Sequence, residues 1–115
     1  MHCHSTYPMP PEEANLKLIP FLAKKFRCKV GYSGHEAAAT NVSIPAILLG
    51  AASIERHVTI DRTAFGHDQA ASLEPKGLIQ LVRDIRIVDK IMGDGKKRVW
   101  KSELNSKNKL RQKFV

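Results

Sequence analysis

The chain has 115 residues, 43% of them hydrophobic and 26% charged, with a formal net charge of +8 at pH 7. That suffices for one packed core, while no run of about 18 apolar residues is present to cross a membrane. The opening Met1-His2-Cys3-His4 lacks the basic and apolar regions of a secretory leader, so a cytoplasmic protein without a membrane partner is expected.

Residues 2–6 read as a first strand, followed by the rigid loop Tyr7-Pro8-Met9-Pro10-Pro11. Alternation puts Cys3 on the face opposite His2 and His4, which argues against a metal site in this triplet. Cys3 and Cys28 have no CxxC spacing and are expected as reduced thiols. Pro11, Glu12 and Glu13 suit a first helical turn, where proline loses nothing and negative charge meets the positive helix end. Leu16, Ile19, Leu22 and Phe26 continue with helical spacing, but Pro20 lies inside that run and should kink or restart the helix. A second strand at 29–33 precedes a helix at 43–51, with Ser43 as its cap and Pro45 in its first turn. The third strand is 53–57, and residues 59–72 form a loop. Pro75 opens the last helix and Gly93 closes it, with Leu78, Leu81, Val82, Ile85, Val88, Ile91 and Met92 as one apolar stripe. Alternating strands and helices imply parallel strands joined by crossovers, an α/β fold.

Past Asp94 the composition changes. Lys96, Lys97, Arg98, Lys101, Lys107, Lys109, Arg111 and Lys113 face only Asp94 and Glu103, so most of the excess charge sits there. A basic tail can bind phosphate backbones, yet only Trp100 and Phe114 offer stacking and no nucleic-acid motif is present. Residues 1–95 therefore read as the folded part and 96–115 as a solvated tail or linker, with no nucleic-acid partner expected.

The chemistry-bearing residues stand at the ends of the second and third strands. Residues two apart on a strand share a face, so Glu55 and His57 point the same way, as do Gly31, Ser33 and His35. Neighbouring strands lie about 4.8 Å apart, so His35 and His57 can share one divalent metal at roughly 2.0–2.2 Å. The plain alternative is two unrelated histidines at strand ends, with Glu55 paired to a nearby Lys or Arg.

The run His2-Cys3-His4-Ser5-Thr6-Tyr7-Pro8, then Gly31-Tyr32-Ser33-Gly34-His35, Leu49-Gly50-Ala51, Ile54-Glu55-Arg56-His57, Gly66-His67-Asp68, Ala71-Ser72-Leu73-Glu74-Pro75 and Gly93-Asp94-Gly95-Lys96-Lys97 resembles the N-acetylneuraminate (sialic acid) synthase family. That family condenses phosphoenolpyruvate with an N-acylated amino sugar such as N-acetylmannosamine, giving a sialic acid and phosphate. The resemblance implies the last three βα units of a (β/α)8 TIM barrel, a fold of about 250 residues when whole, and a homodimer for the full-length protein. It implies that His35 and His57 hold the metal, most often Mn2+. Glu55 would orient or deprotonate the water, and Ser33 would contact the phosphate of phosphoenolpyruvate. Tyr7, Ser5 and Asp68 would line the sugar site. His4, His67 and Arg62 receive no role.

Three departures from the family pattern stand out. Gly34 occupies a position where the family commonly has an acid, which would orient the metal-binding imidazole. The residues that cradle the phosphate come from earlier strands not in this chain. The antifreeze-like domain that often follows the barrel is absent as well. Residues 1–115 alone are thus expected to be incomplete and inactive. A stand-alone basic module binding anions or nucleic acid, and an inactive remnant, are the competing readings.

Overall fold

The computed structural model describes residues 1–111; the expectations for Lys113 and Phe114 lie outside the described residues. Three short strands, β1 (His2–Cys3), β2 (Tyr32–Gly34) and β3 (Ile54–Arg56), form a parallel sheet in the order β1-β2-β3. The helices are α1 (Leu18–Phe26), α2 (Ala39–Leu48), α3 (Pro75–Met92) and α4 (Leu104–Leu110). The register aligns His2 with Tyr32 and Ile54, Cys3 with Ser33 and Glu55, and Gly34 with Arg56. The α/β order expected from the sequence is present, with strands shorter than the alternation suggested.

Two helix boundaries differ from the sequence reading. The Pro11 turn is a short 3-10 turn, Pro11–Glu13, that stops before α1. Asn15 breaks it with a left-handed φ of 41°, and Pro20 then falls in the first turn of α1, where its missing N–H is not needed. Helix α2 begins earlier than expected, at Ala39, where packing outweighs the weak propensity of Thr40, Asn41 and Val42: Ala39 is buried with Leu73 and Leu81, and Val42 and Ala46 with Tyr32. Ser43 is therefore no cap: it is buried mid-helix, its hydroxyl without a partner among the described residues. Pro45 likewise sits inside α2, leaving the carbonyl of exposed Asn41 without its helical donor.

The helices cover one face of the sheet. Tyr32 on β2 is packed there with Ile19 of α1, Val42 and Ala46 of α2, and Met9, Ala14, Val30 and Ala51 from the connections. Ile54 joins this cluster to a second one of Ala39, Leu73 and Leu81. Only part of the expected stripe on α3 is covered. Leu81 and Val88 are buried, whereas Val82, Ile91 and Met92 remain exposed, as does Phe26 at the end of α1.

A charged pair is buried in this layer. Glu36 is 0% exposed, and the side chain of Arg56 is 2% exposed. Arg56 Nη1 donates to Glu36 Oε1, Arg56 Nη2 donates to the Glu36 carbonyl at 2.5 Å, and Tyr32 Oη donates to Glu36 Oε2 at 2.9 Å. Burial lowers the Arg56 pKa and the Glu36 carboxylate opposes that shift; a guanidinium nevertheless stays protonated in proteins. The Tyr32 phenol is raised, first by burial and then by the carboxylate beside it.

Two outcomes follow from this network. Arg56→Met leaves Glu36 as an uncompensated buried charge and should cost about 3–5 kcal/mol, read by urea denaturation. In the folded protein Tyr32 keeps its proton to higher pH than in the unfolded chain. Its contribution is therefore complete below the unfolded value of about 10 and declines as pH rises above it. Unfolding free energies measured between pH 9 and 11.5 should fall more steeply for the native protein than for Tyr32→Phe.

Candidate functional site

The other face of the sheet carries the polar residues. Cys3, Ser33 and Glu55 form one register row, and His35 and His57, two positions beyond Ser33 and Glu55, stand on the same face. Ser33 Oγ donates to Glu55 Oε1 at 2.7 Å, so the partner of this carboxylate is a serine rather than a Lys or Arg. Ile54, one residue earlier, packs toward the helices.

The imidazole rings of His35 and His57 lie 5.2 Å apart, centroid to centroid, at 86° to each other. Tyr7 stacks on His35 at 4.2 Å and meets His57 edge-on at 5.4 Å. Each histidine has its Nδ1 edge turned to an oxygen. His35 Nδ1 is 2.5 Å from the His4 carbonyl, and His57 Nδ1 is 3.4 Å from Asp68 Oδ2. An acceptor at Nδ1 fixes the proton there and leaves the lone pair on Nε2. Nε2 of His35 is only 3.3 Å from Tyr7 Oη, a long hydrogen bond, and Nε2 of His57 has no partner among the described residues. Two imidazoles with Nε2 lone pairs suit a shared divalent metal, His57 directly and His35 once the Tyr7 hydroxyl turns aside. Among the described residues no group of three or more His, Cys, Asp or Glu gathers into a ligand set, so water and substrate would fill the remaining positions.

Tyr7 is raised from its ordinary phenol value, first by desolvation and then by the negative charges of Asp68, Cys3 and Glu55 around it. It remains a hydrogen-bond donor over the site. Ser5 lies exposed in the same loop, with no hydrogen bond to this cluster among the described residues, and His67 is exposed as well. His4 pairs through Nε2 with Glu13 at 3.2 Å. The structure thus brings together Tyr7, Ser33, His35, Glu55, His57 and Asp68, but not Ser5.

Sequence reasoning missed three contributors. The Cys3 thiol comes within 3.9 Å of His35 Nδ1, because β1 pairs in register with β2. The His4 carbonyl, which no side-chain pattern encodes, orients His35. Glu36 was overlooked as the partner of Arg56. Its signal was available: alternation sends Arg56 toward the helices, opposite Glu55 and His57, and a charge there needs a counter-charge.

Gly34 is explained by the same pair. A Cβ at this position would lie 2.3 Å from Arg56 Nη1 and 2.8 Å from Glu36 Oε2. A side chain here requires the buried pair to shift, and the His4 carbonyl supplies the orienting contact instead. Gly34→Asp should displace Arg56 from Glu36 and destabilise the protein by about 3 kcal/mol or more in urea denaturation, without tightening any metal site.

The NeuB family model matches residues 1–97. N-acetylneuraminate-9-phosphate synthase of Mus musculus is 41% identical over 116 residues, covering 100% of this chain and 32% of that protein. N,N'-diacetyllegionaminic acid synthase of Campylobacter jejuni is 43% identical over 115 residues, covering 100% of this chain and 34% of its own length. The crystal structure of the N-acetylneuraminic acid synthetase of Leptospira borgpetersenii in complex with citrate superposes with a TM-score of 0.73 at 39% identity, covering 96% of this chain and 40% of that one. The chain spans about a third of the length of the curated relatives it matches. By its matched length and its motifs, this chain belongs to the NeuB family.

Proposed function

We infer that the chain carries one part of the active site of a phosphoenolpyruvate-dependent sialic-acid-type synthase, on the last three βα units of a (β/α)8 barrel. The observation that carries this reading is the cluster of two imidazoles and a Ser33–Glu55 pair on the uncovered sheet face, at the carboxyl ends of the strands, where barrel enzymes hold their chemistry. A parallel sheet with helices on one face only supports the barrel assignment. The resemblance extends the reading to a cytoplasmic, homodimeric whole protein.

In the reaction, carbon 3 of phosphoenolpyruvate forms a bond to the aldehyde carbon of the open-chain N-acylated amino sugar. Water adds at carbon 2, and the bond from carbon 2 to the bridging oxygen breaks as phosphate leaves. His35 and His57 would hold a divalent metal such as Mn2+ through Nε2, and such an ion, when bound, would supply Lewis-acid polarisation for the aldehyde. Glu55 orients the water and takes its proton. Its Oε1 is fixed by Ser33, which leaves Oε2 for that role. Ser33 would contact the phosphate by turning its one O–H from Glu55 to a phosphate oxygen once phosphoenolpyruvate is bound. Asp68, Tyr7 and Ser5 serve the sugar hydroxyls, and Asp68 additionally orients His57.

The test is phosphate release from phosphoenolpyruvate with N-acetylmannosamine present, using the whole protein. Chelation should abolish turnover and Mn2+ restore it, while Glu55→Gln should lower kcat by about 10²–10⁴-fold. Residues 1–115 alone should release no phosphate, because the groups that align the second reactant, worth about 7–11 kcal/mol in favourable cases, are not on this chain. Turnover that survives both chelation and Glu55→Gln would overturn the reading.

A further inference from the structure

Two segments bordering the site run side by side without a backbone hydrogen bond between them among the described residues. One is Glu36-Ala37, directly after His35. The other is Ala70-Ala71, shortly after Asp68. Their facing carbonyls need donors, and two arginines provide them. Arg56 Nη2 donates to the Glu36 carbonyl at 2.5 Å and to the Ala71 carbonyl at 3.1 Å. One residue further along each segment, Arg62 Nη2 donates to the Ala37 carbonyl at 3.4 Å and to the Ala70 carbonyl. Arg62 is itself held, since its backbone N–H donates to Glu74 Oε1 at 3.2 Å at the start of α3. The turn around it is fixed by the Thr63 N–H on Asp61 Oδ1 at 2.7 Å.

We propose that Arg62 is a positioning residue, a latch that ties the loop of residues 59–72 to the segment after His35 and so keeps the Asp68 carboxylate against His57. Arg56 performs the same stitching but is committed to the buried pair, so its loss would unsettle the sheet and helices together. Arg62 is half-buried and belongs to the loop alone. The loop is pinned at its base, where Val58 bridges Leu73 and the Thr59 N–H donates to the Leu73 carbonyl, and at Ala71 and Ser72, which are buried, whereas its apex is bare. Ile60 and Phe65 are 93% and 105% exposed, and Asp68 is exposed as well. The consequence for catalysis rests on the synthase reading above, in which Asp68 serves the sugar.

Both donated bonds leave one nitrogen, so an ammonium on a stem of similar length can replace them, whereas a thioether cannot. In the full chain, Arg62→Met should raise amide hydrogen exchange across residues 63–70 by about tenfold, with α2 and α3 unchanged. In the synthase assay it should raise KM for the sugar by about tenfold, with kcat and KM for phosphoenolpyruvate within about twofold. Arg62→Lys should remain close to the native protein in both measurements. Adding Arg62→Met to Asp68→Asn should raise the sugar KM no further, because both act through one carboxylate. Unchanged loop exchange in Arg62→Met, exchange raised evenly over the chain, or a lysine variant as impaired as the methionine variant would overturn the latch. Exchange is read without substrate, so a loosened loop in a protein that releases no phosphate would sustain the latch and sink the synthase reading instead.

Discussion

The buried contact between Arg56 and Glu36 is the constraint on which the rest of the arrangement depends. Burying a charge is tolerable only when it is paired and its remaining hydrogen-bonding groups are satisfied. Here Glu36 takes the guanidinium and the Tyr32 hydroxyl, and the guanidinium also reaches two backbone carbonyls, with Nε alone lacking a partner among the described residues. These contacts fix four things at once. They set the end of β2, the start of the connection to α2, the end of β3 and the return of the long loop before α3. The two histidines leave the sheet one residue beyond Gly34 and Arg56, so their separation is set by the pair that precedes them. Glycine at position 34 belongs to the same solution, because any side chain there would occupy the guanidinium's place.

Strand alternation then separates stability from chemistry. His2, Tyr32, Ile54 and Arg56 face the helices, and their partners are apolar side chains, carbonyls or each other. Cys3, Ser33 and Glu55 face away, and the two histidines follow them. A one-residue slip in register would exchange these sets and place Glu55 in the apolar layer. The bulk of Tyr32 and the Arg56–Glu36 pair oppose such a slip far more strongly than the few ladder hydrogen bonds of strands only two or three residues long.

Much of this was legible in the sequence, because it depends on periods of two and on local chain chemistry. The shared face of Ser33 and His35, that of Glu55 and His57, and the restart of the first helix at Pro20 follow from such local rules. What was not legible depends on contacts distant in sequence. Helix α2 starts before Ser43 because burial of Ala39 and Val42 outweighs a cap signal, and the same packing accepts a proline inside the helix. The exposure of Val82, Ile91 and Met92 could not be read from their spacing, since an apolar stripe records what a helix can bury and not what lies beside it. The partner of Arg56 is 20 residues away, and the carbonyl that orients His35 is 31 residues away. Neither leaves a local pattern.

The orientation of the imidazoles is the clearest chemical statement this chain makes. Two histidines near each other do not in themselves favour a metal, since either ring could present a proton instead of a lone pair. The His4 carbonyl and the Asp68 carboxylate remove that freedom by holding the two Nδ1 edges. The first orienting group is backbone from β1's own extension, rigid with the sheet. The second sits on an exposed loop side chain, 51% accessible, and depends on whatever keeps that loop in place. Of the two imidazoles, His35 is therefore held by the backbone of the fold, whereas His57 is held by a side chain on an exposed loop.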